Sequence, residues 1–184
     1  MTYKHKNFSG NEINGQDFED SVFEHCNFLG DIRFAGFLKC KFVSCDLSGA
    51  LFNTTHFTNC SFPGSKLSNI DFSDVNIENC NFSGSVMENC IFKKKKKFNL
   101  KSNFFEDTNL QRSVFVFCDL TKMKFSGSDL TGTVFERCDL TETNFTGAKL
   151  NGTNFEDCKI AKTILDLNGF LSFGSSKGFV LEES

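Results

Sequence analysis

The sequence predicts an all-β solenoid, in which short extended segments and sharp corners wind around a continuous apolar core. Three observations predict this fold class: an apolar residue returns at every fifth position, small residues stand two positions before it, and glycines stand two positions after it. An α-helix repeats about every 3.6 residues and a strand about every 2, so neither produces this period.

The apolar period runs in three phases along almost the whole chain. The first phase ends at Phe28, and Ile32 follows after a spacing of four; the second ends at Phe92, and the third runs from Leu100 to Phe170. Every position of these phases holds Phe, Leu, Ile or Met, which we interpret as anchors that point inward. Representative anchors are Phe62, Phe82, Phe105, Phe125, Phe135, Phe145 and Phe155.

The two accompanying columns define the shape of each five-residue unit. Small residues, including all nine cysteines, precede the anchors by two positions, so one large and one small side chain face inward. Glycine after the anchor permits the positive φ of a type II turn, and Phe62-Pro63-Gly64-Ser65 has the composition of such a turn. The anchors at 100, 120, 140 and 160 are leucine or isoleucine, whereas those at 115, 135 and 155 are phenylalanine. The type of anchor therefore recurs every twenty residues. Four units therefore make one coil, and about eight stacked coils make a quadrilateral parallel β-helix.

Units such as CDLSG (45–49), CDLTE (138–142) and AKLNG (148–152) resemble the pentapeptide-repeat family. The family pattern is a small residue, Asp or Asn, Leu or Phe, and two variable residues, and the resemblance covers roughly residues 6 to 170. It implies a right-handed helix. The chain departs from the pattern by favouring Phe over Leu and Cys over Ala, and by its phase breaks. We expect a solenoid over residues 1–170, almost free of α-helix, with a break near 29–32, a basic loop at 93–97, and a C-terminal cap over 171–184.

The composition is that of a folded chain, with 39% hydrophobic and 23% charged residues among 184. No apolar run is long enough to span a bilayer, and the opening MTYKHKNFSG lacks the features of a secretory signal. These observations predict a cytoplasmic location without membrane contact.

The nine cysteines raise the question of zinc or disulfides. There is no Cys-x-x-Cys pair, and the small inward column accounts for every cysteine. Spacings of twenty predict two ladders of reduced core thiols rather than a metal or cofactor site. The ladders consist of Cys40, Cys60, Cys80, and of Cys118, Cys138, Cys158.

Catalysis has little support in the sequence. His5, His25 and His56 stand in no catalytic or metal motif. Aspartates before the anchors, such as Asp119 and Asp139, are candidates for acid and base roles, but short polar side chains at corners usually hydrogen-bond local backbone. The chain is therefore predicted not to be an enzyme.

The main interruption is the basic loop, where eight residues rather than five separate Phe92 from Leu100. Its lysines, Lys93, Lys94, Lys95, Lys96 and Lys97, mark three extra residues as a solvated bulge. The alternative is a contact finger that touches an acidic protein or nucleic acid.

The C-terminal tail leaves the period and is expected to cover the open end of the core. The residues predicted to do so are Phe170, Leu171, Phe173, Phe179 and Leu181. The alternative is that this end also forms a homodimer, because the resemblance includes gyrase-binding members that dimerise through their C-terminal ends.

Two classes of function remain. The resemblance to topoisomerase-protecting members implies a DNA mimic that binds DNA gyrase or topoisomerase IV, without itself contacting nucleic acid. The formal net charge is −3, and it is −8 without the five lysines of the loop, a charge compatible with imitation of a duplex. Four lysines interrupt the acidic columns, so charge separates the two classes only in part; they are Lys124, Lys149, Lys159 and Lys162. The other class is a scaffold for an unspecified protein partner. Candidate contacts are the outward acids Glu106, Asp107, Glu136, Glu142, Glu156 and Asp157.

Overall fold

The computed structural model describes residues 1–182, which form a parallel β-solenoid of about eight coils and a C-terminal helix. The elements of the first coils are β1 (Thr2–Lys4), β2 (Asn7–Ser9), α1 (Gly10–Ile13), β3 (Asp17–Glu19), β4 (Val22–Glu24), β5 (Asn27–Leu29), β6 (Asp31–Arg33), β7 (Gly36–Leu38) and β8 (Lys41–Val43). Those of the remaining chain are β9 (Leu51–Asn53), β10 (Thr55–Thr58), β11 (Val75–Glu78), β12 (Ile91–Asn99), β13 (Val114–Asp119), β14 (Val134–Glu136), β15 (Asn154–Glu156) and α2 (Leu167–Ser176).

Successive coils pair in parallel, so that each residue stands above its counterpart one coil later. Phe8 pairs with Phe28, and Phe135 pairs with Phe155. Isolated parallel bridges continue this pairing where the segments are too short to count as strands. The predicted solenoid of about eight coils is therefore confirmed.

The anchors form four columns, and each column defines one face of the rod. Face 1 contains Phe8, Phe28, Leu47, Leu67, Met87, Leu110, Leu130 and Leu150. Face 2 contains Ile13, Ile32, Phe52, Phe72, Phe92, Phe115, Phe135 and Phe155. Face 3 contains Phe18, Phe37, Phe57, Ile77, Leu100, Leu120 and Leu140. Face 4 contains Phe23, Phe42, Phe62, Phe82, Phe105, Phe125 and Phe145.

Stacked phenylalanine rings fill the core. On face 4, the ring centres of Phe62 lie 4.9 Å from those of Phe42 and Phe82, and the rings are nearly parallel. Rings from opposite faces meet edge to face, as Phe125 and Phe135 do at 5.9 Å. The seven representative anchors are at most 3% exposed. Each ring is thus buried by its neighbours above, below and across the core, a favourable arrangement for aromatic pairs.

Two coils differ in length from the others. Phe18 pairs with Phe37 rather than with residue 38, because the break before Ile32 removes one residue from the coil. Ile91 pairs with Val114, because the lysine-rich loop adds three. Both changes are absorbed at corners, so the inward columns continue across them.

The corners have left-handed backbone conformations. Gly64 has φ of +64°, and the Ser65 N–H donates to the Phe62 carbonyl oxygen at 3.1 Å, as the type II turn requires. Gly10 is the exception in the glycine column: it begins α1, and a Cβ there would lie 2.2 Å from the Asp31 carbonyl oxygen. Many other corners hold non-glycine residues at positive φ, which is strained and persists only when packing enforces it.

The predicted period extends too far at the C-terminus. Ile160 and Phe170 were expected to be anchors, but they are 47% and 64% exposed. Helix α2 begins at Leu167, inside the predicted solenoid boundary at residue 170, and extends to Ser176. The carboxylate of Asp166 caps it by accepting from the Gly169 N–H at 2.8 Å, and it also accepts from the Gly147 N–H of the preceding coil at 2.7 Å.

The cap covers the core only in part. Phe173 packs edge to face on Phe155 at 5.5 Å, whereas Phe170, Leu171, Phe179 and Leu181 are exposed. The reason is that α2 presents only one of its faces to the last coil. Residues 183 and 184 of the predicted cap lie outside the described part of the chain.

All nine cysteines are free thiols; Cys158, in the last coil, is half-buried and the others are buried. Their thiols donate to backbone carbonyls of the preceding coil, as Cys60 does to Phe37 at 3.2 Å. Burial raises the pKa of the Cys45 thiol to about 11 and that of Cys90 to about 12. Such thiols carry little thiolate at neutral pH, and the thiolate is the reactive form.

Replacing Phe125 by Ala should lower the free energy of unfolding by roughly 3 to 5 kcal/mol, because the fully buried ring leaves a cavity between two coils. Denaturant unfolding would measure the loss. The matched control is Lys124→Ala, one residue earlier on the outer surface, which should change stability by less than about 0.5 kcal/mol. Equal losses in the two variants would contradict the assigned register.

Under native conditions at pH 8, Cys158 should be the fastest cysteine to react with a thiol reagent, and the eight buried cysteines should react slowly. Unfolding in guanidinium chloride should release nine reactive thiols, counted by absorbance. A Cys158→Ala control should remove the fast phase and leave eight. More than one fast thiol in the native protein would show that the ladder is open to solvent.

Candidate interaction surfaces

The outward positions directly before and after each anchor form the surface of the rod. All six acidic residues that the sequence singles out follow anchors by one or two positions and are at least partly exposed. Those at the second position, including Asp107, Glu142 and Asp157, are corner residues with positive φ. Their carboxylates are therefore on the surface, but on different sides of it.

Face 2 brings together three of the six candidate acids. Glu136 pairs with Glu156 in the β14–β15 register, and Asp157 follows at the corner. Arg137 forms an ion pair with Glu136 and is the basic residue within this group. Further up the same face, other acidic side chains stand on the outer surface. They are Asp71, Asp74 and Asp31, of which Asp31 is paired with the guanidinium of Arg33.

The structure does not bring the other three acids onto face 2. Glu106 lies on face 4, on the opposite side of the core, with its carboxylate 4.0 Å from the ammonium of Lys124. Glu142 lies at the corner after face 3, 3.9 Å from Lys122. Asp107 follows Glu106 at its corner. The six residues therefore form separate groups, because the face of each is fixed by its place within a coil of four units.

A charged ladder on face 3 was not predicted from the sequence as a unit. Lys101 is 3.1 Å from Asp119, Lys159 is 3.3 Å from Asp139, and Lys97 lies between the two aspartates at 3.7 and 3.5 Å. Lys97 reaches these aspartates because the pairing of β12 with β13 shifts by three residues at the basic loop. A hydrogen bond from Thr141 holds the pKa of Asp139 well below its usual range.

The aspartates considered as acid–base candidates act locally instead. Asp119, Asp129 and Asp139 each accept a hydrogen bond from the backbone N–H two residues later, at 3.1 to 3.2 Å. This is the Asx-turn arrangement that supports a corner. Charged lysines of the next coil, such as Lys149 beside Asp129, complete the pairing.

The basic loop is an ordered bulge within β12. Lys93 pairs with Val116 and Phe98 with Cys118, so Lys94, Lys95, Lys96 and Lys97 stand opposite the single residue Phe117. We call Lys94–Lys97 the lysine bulge. Four residues opposite one give the three extra residues expected from the sequence.

Two apolar cavities open at the C-terminal end of the rod. One, of about 230 Å³, lies between the last coil and α2 and is lined by residues such as Phe145, Phe155 and Phe173. The other, of about 310 Å³, lies between α2 and the segment after it. The surrounding exposed apolar residues are Ile160, Ile164, Leu167, Phe170, Leu171, Phe179, Val180 and Leu181.

The histidines do not form a metal site in the described residues. His5 and His25 stack with ring centres 5.2 Å apart at one corner, and Nδ1 of His56 lies 3.0 Å from the amide nitrogen of Asn76. Within residues 1–182, no group of three or more His, Cys, Asp or Glu side chains is arranged to hold a metal ion. Over the same residues, no helix has the length and apolar character needed to cross a membrane.

Comparison with solved structures shows that this solenoid resembles known ones. A trypsin-treated form of QnrB1, described as a plasmid-mediated fluoroquinolone resistance protein, is 18% identical, with a TM-score of 0.61. The match covers 100% of this chain and 99% of that chain. HetL, a pentapeptide-repeat protein involved in heterocyst differentiation regulation in the cyanobacterium Nostoc, is 14% identical with a TM-score of 0.30, covering 85% of this chain and 88% of its own.

Comparison with curated proteins gives no match in sequence. The family model for pentapeptide repeats matches eight copies over residues 40–78, 70–94 and 118–157, which together make up more than half of the chain. These copies coincide with the coils in which one large and one small residue face inward from every unit. The protein belongs to the pentapeptide-repeat family.

Proposed function

We propose that this protein is a non-enzymatic, cytoplasmic rod that binds a protein partner through acidic face 2. The most specific candidate partner is a type II topoisomerase, DNA gyrase or topoisomerase IV, to which the rod would present itself in place of DNA. The observation that carries the proposal is the in-register stacking of Glu136 on Glu156, with Asp157 beside them.

The spacing of these carboxylates suits a mimic of one DNA strand. Neighbouring coils are about 4.8 Å apart, so Glu136 and Glu156 are separated by about that distance along the rod, with Asp157 beside Glu156 in the same coil. Phosphates along one strand of duplex DNA are about 3.4 Å apart. Arg137 neutralises part of this charge through its pair with Glu136. Binding would therefore draw on the other acids of face 2 as well.

The fold likeness to a fluoroquinolone resistance protein supports the choice of partner, because it covers nearly all of both chains. Fluoroquinolones act on type II topoisomerases, and a rod that occupies the DNA site would compete with DNA there. The alternative function is a general scaffold that binds another protein without affecting a topoisomerase.

The purified protein should inhibit DNA supercoiling by the topoisomerase or rescue the topoisomerase from a quinolone. Replacing both Glu136 and Glu156 by Lys should abolish this effect. Adding salt should weaken the wild-type effect, because it screens the charge pairs. Supercoiling assays with gyrase and topoisomerase IV from the same host would measure both effects.

The matched control replaces Glu106 and Glu142 by Lys, which changes the net charge equally on other faces. It should retain at least half of the wild-type effect. Equal loss in both double variants would assign the effect to net charge rather than to face 2. A wild-type protein without effect on either enzyme at micromolar concentration would favour the scaffold function.

We further propose that two copies associate through their C-terminal ends. The support is the partial cap: exposed apolar residues from 160 to 181 surround the two cavities, and the last coil has no further coil to pair with. Large exposed apolar patches commonly mark protein interfaces. A second copy would bury the same residues on both chains, as twofold symmetry requires.

Replacing Phe170 and Phe179 by Asp should convert a dimer into a monomer in sedimentation equilibrium at micromolar concentration, because the charges would be buried at the interface. The control replaces Leu29 and Leu51, which are exposed on the sides of the rod, by Asp. The control should remain dimeric. A monomeric wild-type protein would contradict this proposal and leave the proposed role of face 2 unaffected.

A further inference from the structure

The lysine bulge is held in place at both ends. The ammonium of Lys94 donates to Oδ1 of Asn76 at 2.5 Å and lies 4.5 Å from the ring centre of Phe98. At the other end, the ammonium of Lys97 reaches Asp119 and Asp139 on face 3. These contacts fix the direction in which the bulge projects from the rod.

Three lysines at and beside the bulge have ammonium groups without an acidic partner in the described residues. Lys95 and Lys96 form the exposed apex, and Lys93 is exposed at the base of the bulge. None of these three is in an ion pair within residues 1–182. The apex is therefore a local positive surface on a protein whose charge elsewhere is negative.

Phe117 is the residue that faces the bulge in the next coil. It has φ of +54° and is 45% exposed. The other non-glycine corners with positive φ hold polar or charged residues, except at Phe34. Phe117 and Phe34 are thus the two phenylalanines at exposed left-handed corners, and of the two only Phe117 lies opposite the lysine bulge.

The corner thus combines an aromatic ring with free lysines. Arg137 follows Phe117 one coil further down the same corner, since Val116 pairs with Glu136. Single-stranded nucleic acid fits this combination, because lysines attract its phosphates and its unpaired bases stack on exposed aromatic rings. A duplex keeps its base faces hidden, and an acidic peptide offers few planar rings to stack.

We propose that Phe117 and the lysine bulge bind single-stranded nucleic acid. This function uses the corner that borders face 2 and does not depend on a topoisomerase. Repulsion by the acidic remainder of the rod keeps the affinity modest and restricts contact to this corner. Each phosphate contacted releases counterions, so the affinity falls steeply as salt is added.

Fluorescence anisotropy with a labelled thymidine oligonucleotide of about 12 nucleotides, a length within the range of known single-strand sites, tests the proposal at low salt. Phe117→Asn removes the ring and tolerates positive φ, and it should weaken binding at least about fivefold, the lower limit for one stacked base. Lys95→Glu with Lys96→Glu should weaken binding at least about tenfold, because it reverses both apex charges. Deleting Lys95–Lys97 should do the same.

Two matched controls separate this site from general effects. Phe34→Asn removes the other exposed phenylalanine at a left-handed corner, and Lys122→Glu with Lys162→Glu makes the same change in net charge elsewhere. Both should bind within about twofold of wild type, and circular dichroism should show that all variants remain folded. The deletion variant should fold because it restores the five-residue step between Phe92 and Leu100.

The same titration with a duplex of equal length and with polyglutamate decides the class of partner. The proposal requires the single strand to bind more tightly than either. Absence of single-strand binding by the wild-type protein would overturn it. Equal binding of polyglutamate, with no effect of Phe117→Asn, would also overturn it and would assign the bulge to an acidic protein segment.

Discussion

The stacking of inward side chains between neighbouring coils is the interaction on which the rest of this structure depends. A five-residue unit is too short to bury its own anchor, so Phe62 is covered only when Phe42 and Phe82 stand 4.9 Å above and below it. The same stacking holds the corners in left-handed conformations that isolated residues avoid. The backbone hydrogen bonds between coils and the thiol contacts to the preceding coil follow from this vertical register.

Because the interior is filled by one repeating pattern, the four faces of the rod differ mainly in their outward residues. Columns of outward residues run along each face, and the register decides which charges meet. On face 3, Asp119 and Asp139 meet lysines and are neutralised. On face 2, Glu136 and Glu156 stand on each other, and only Glu136 of the two is paired with a basic residue, Arg137, within residues 1–182. The candidate acidic surface is thus a consequence of register rather than of local sequence.

The irregular parts of the rod create its remaining surfaces. Three inserted residues produce a basic bulge on an acidic protein, and the fold positions it by holding Lys94 against Asn76 of the preceding coil and Lys97 against Asp119 and Asp139 of the following coils. At the C-terminus, Asp166 stops the solenoid by capping α2, which covers part of the last coil and exposes an apolar end. Both features interrupt a pattern that could otherwise continue without change.

The local sequence predicts the fold class, the inward columns and the approximate number of coils, because all three depend on a period of five. It also located both breaks in phase, since each displaces the period directly. The stacking of the coils determines which outward residues share a face: Glu106 and Glu136 have the same local context but lie on opposite sides of the core. It likewise decided that Ile160 and Phe170 are exposed, because an anchor is buried only where another coil or a cap lies over it. The pairing of Lys97 with Asp139, 42 residues apart, depends on coil lengths on both sides of the bulge, which no local pattern encodes.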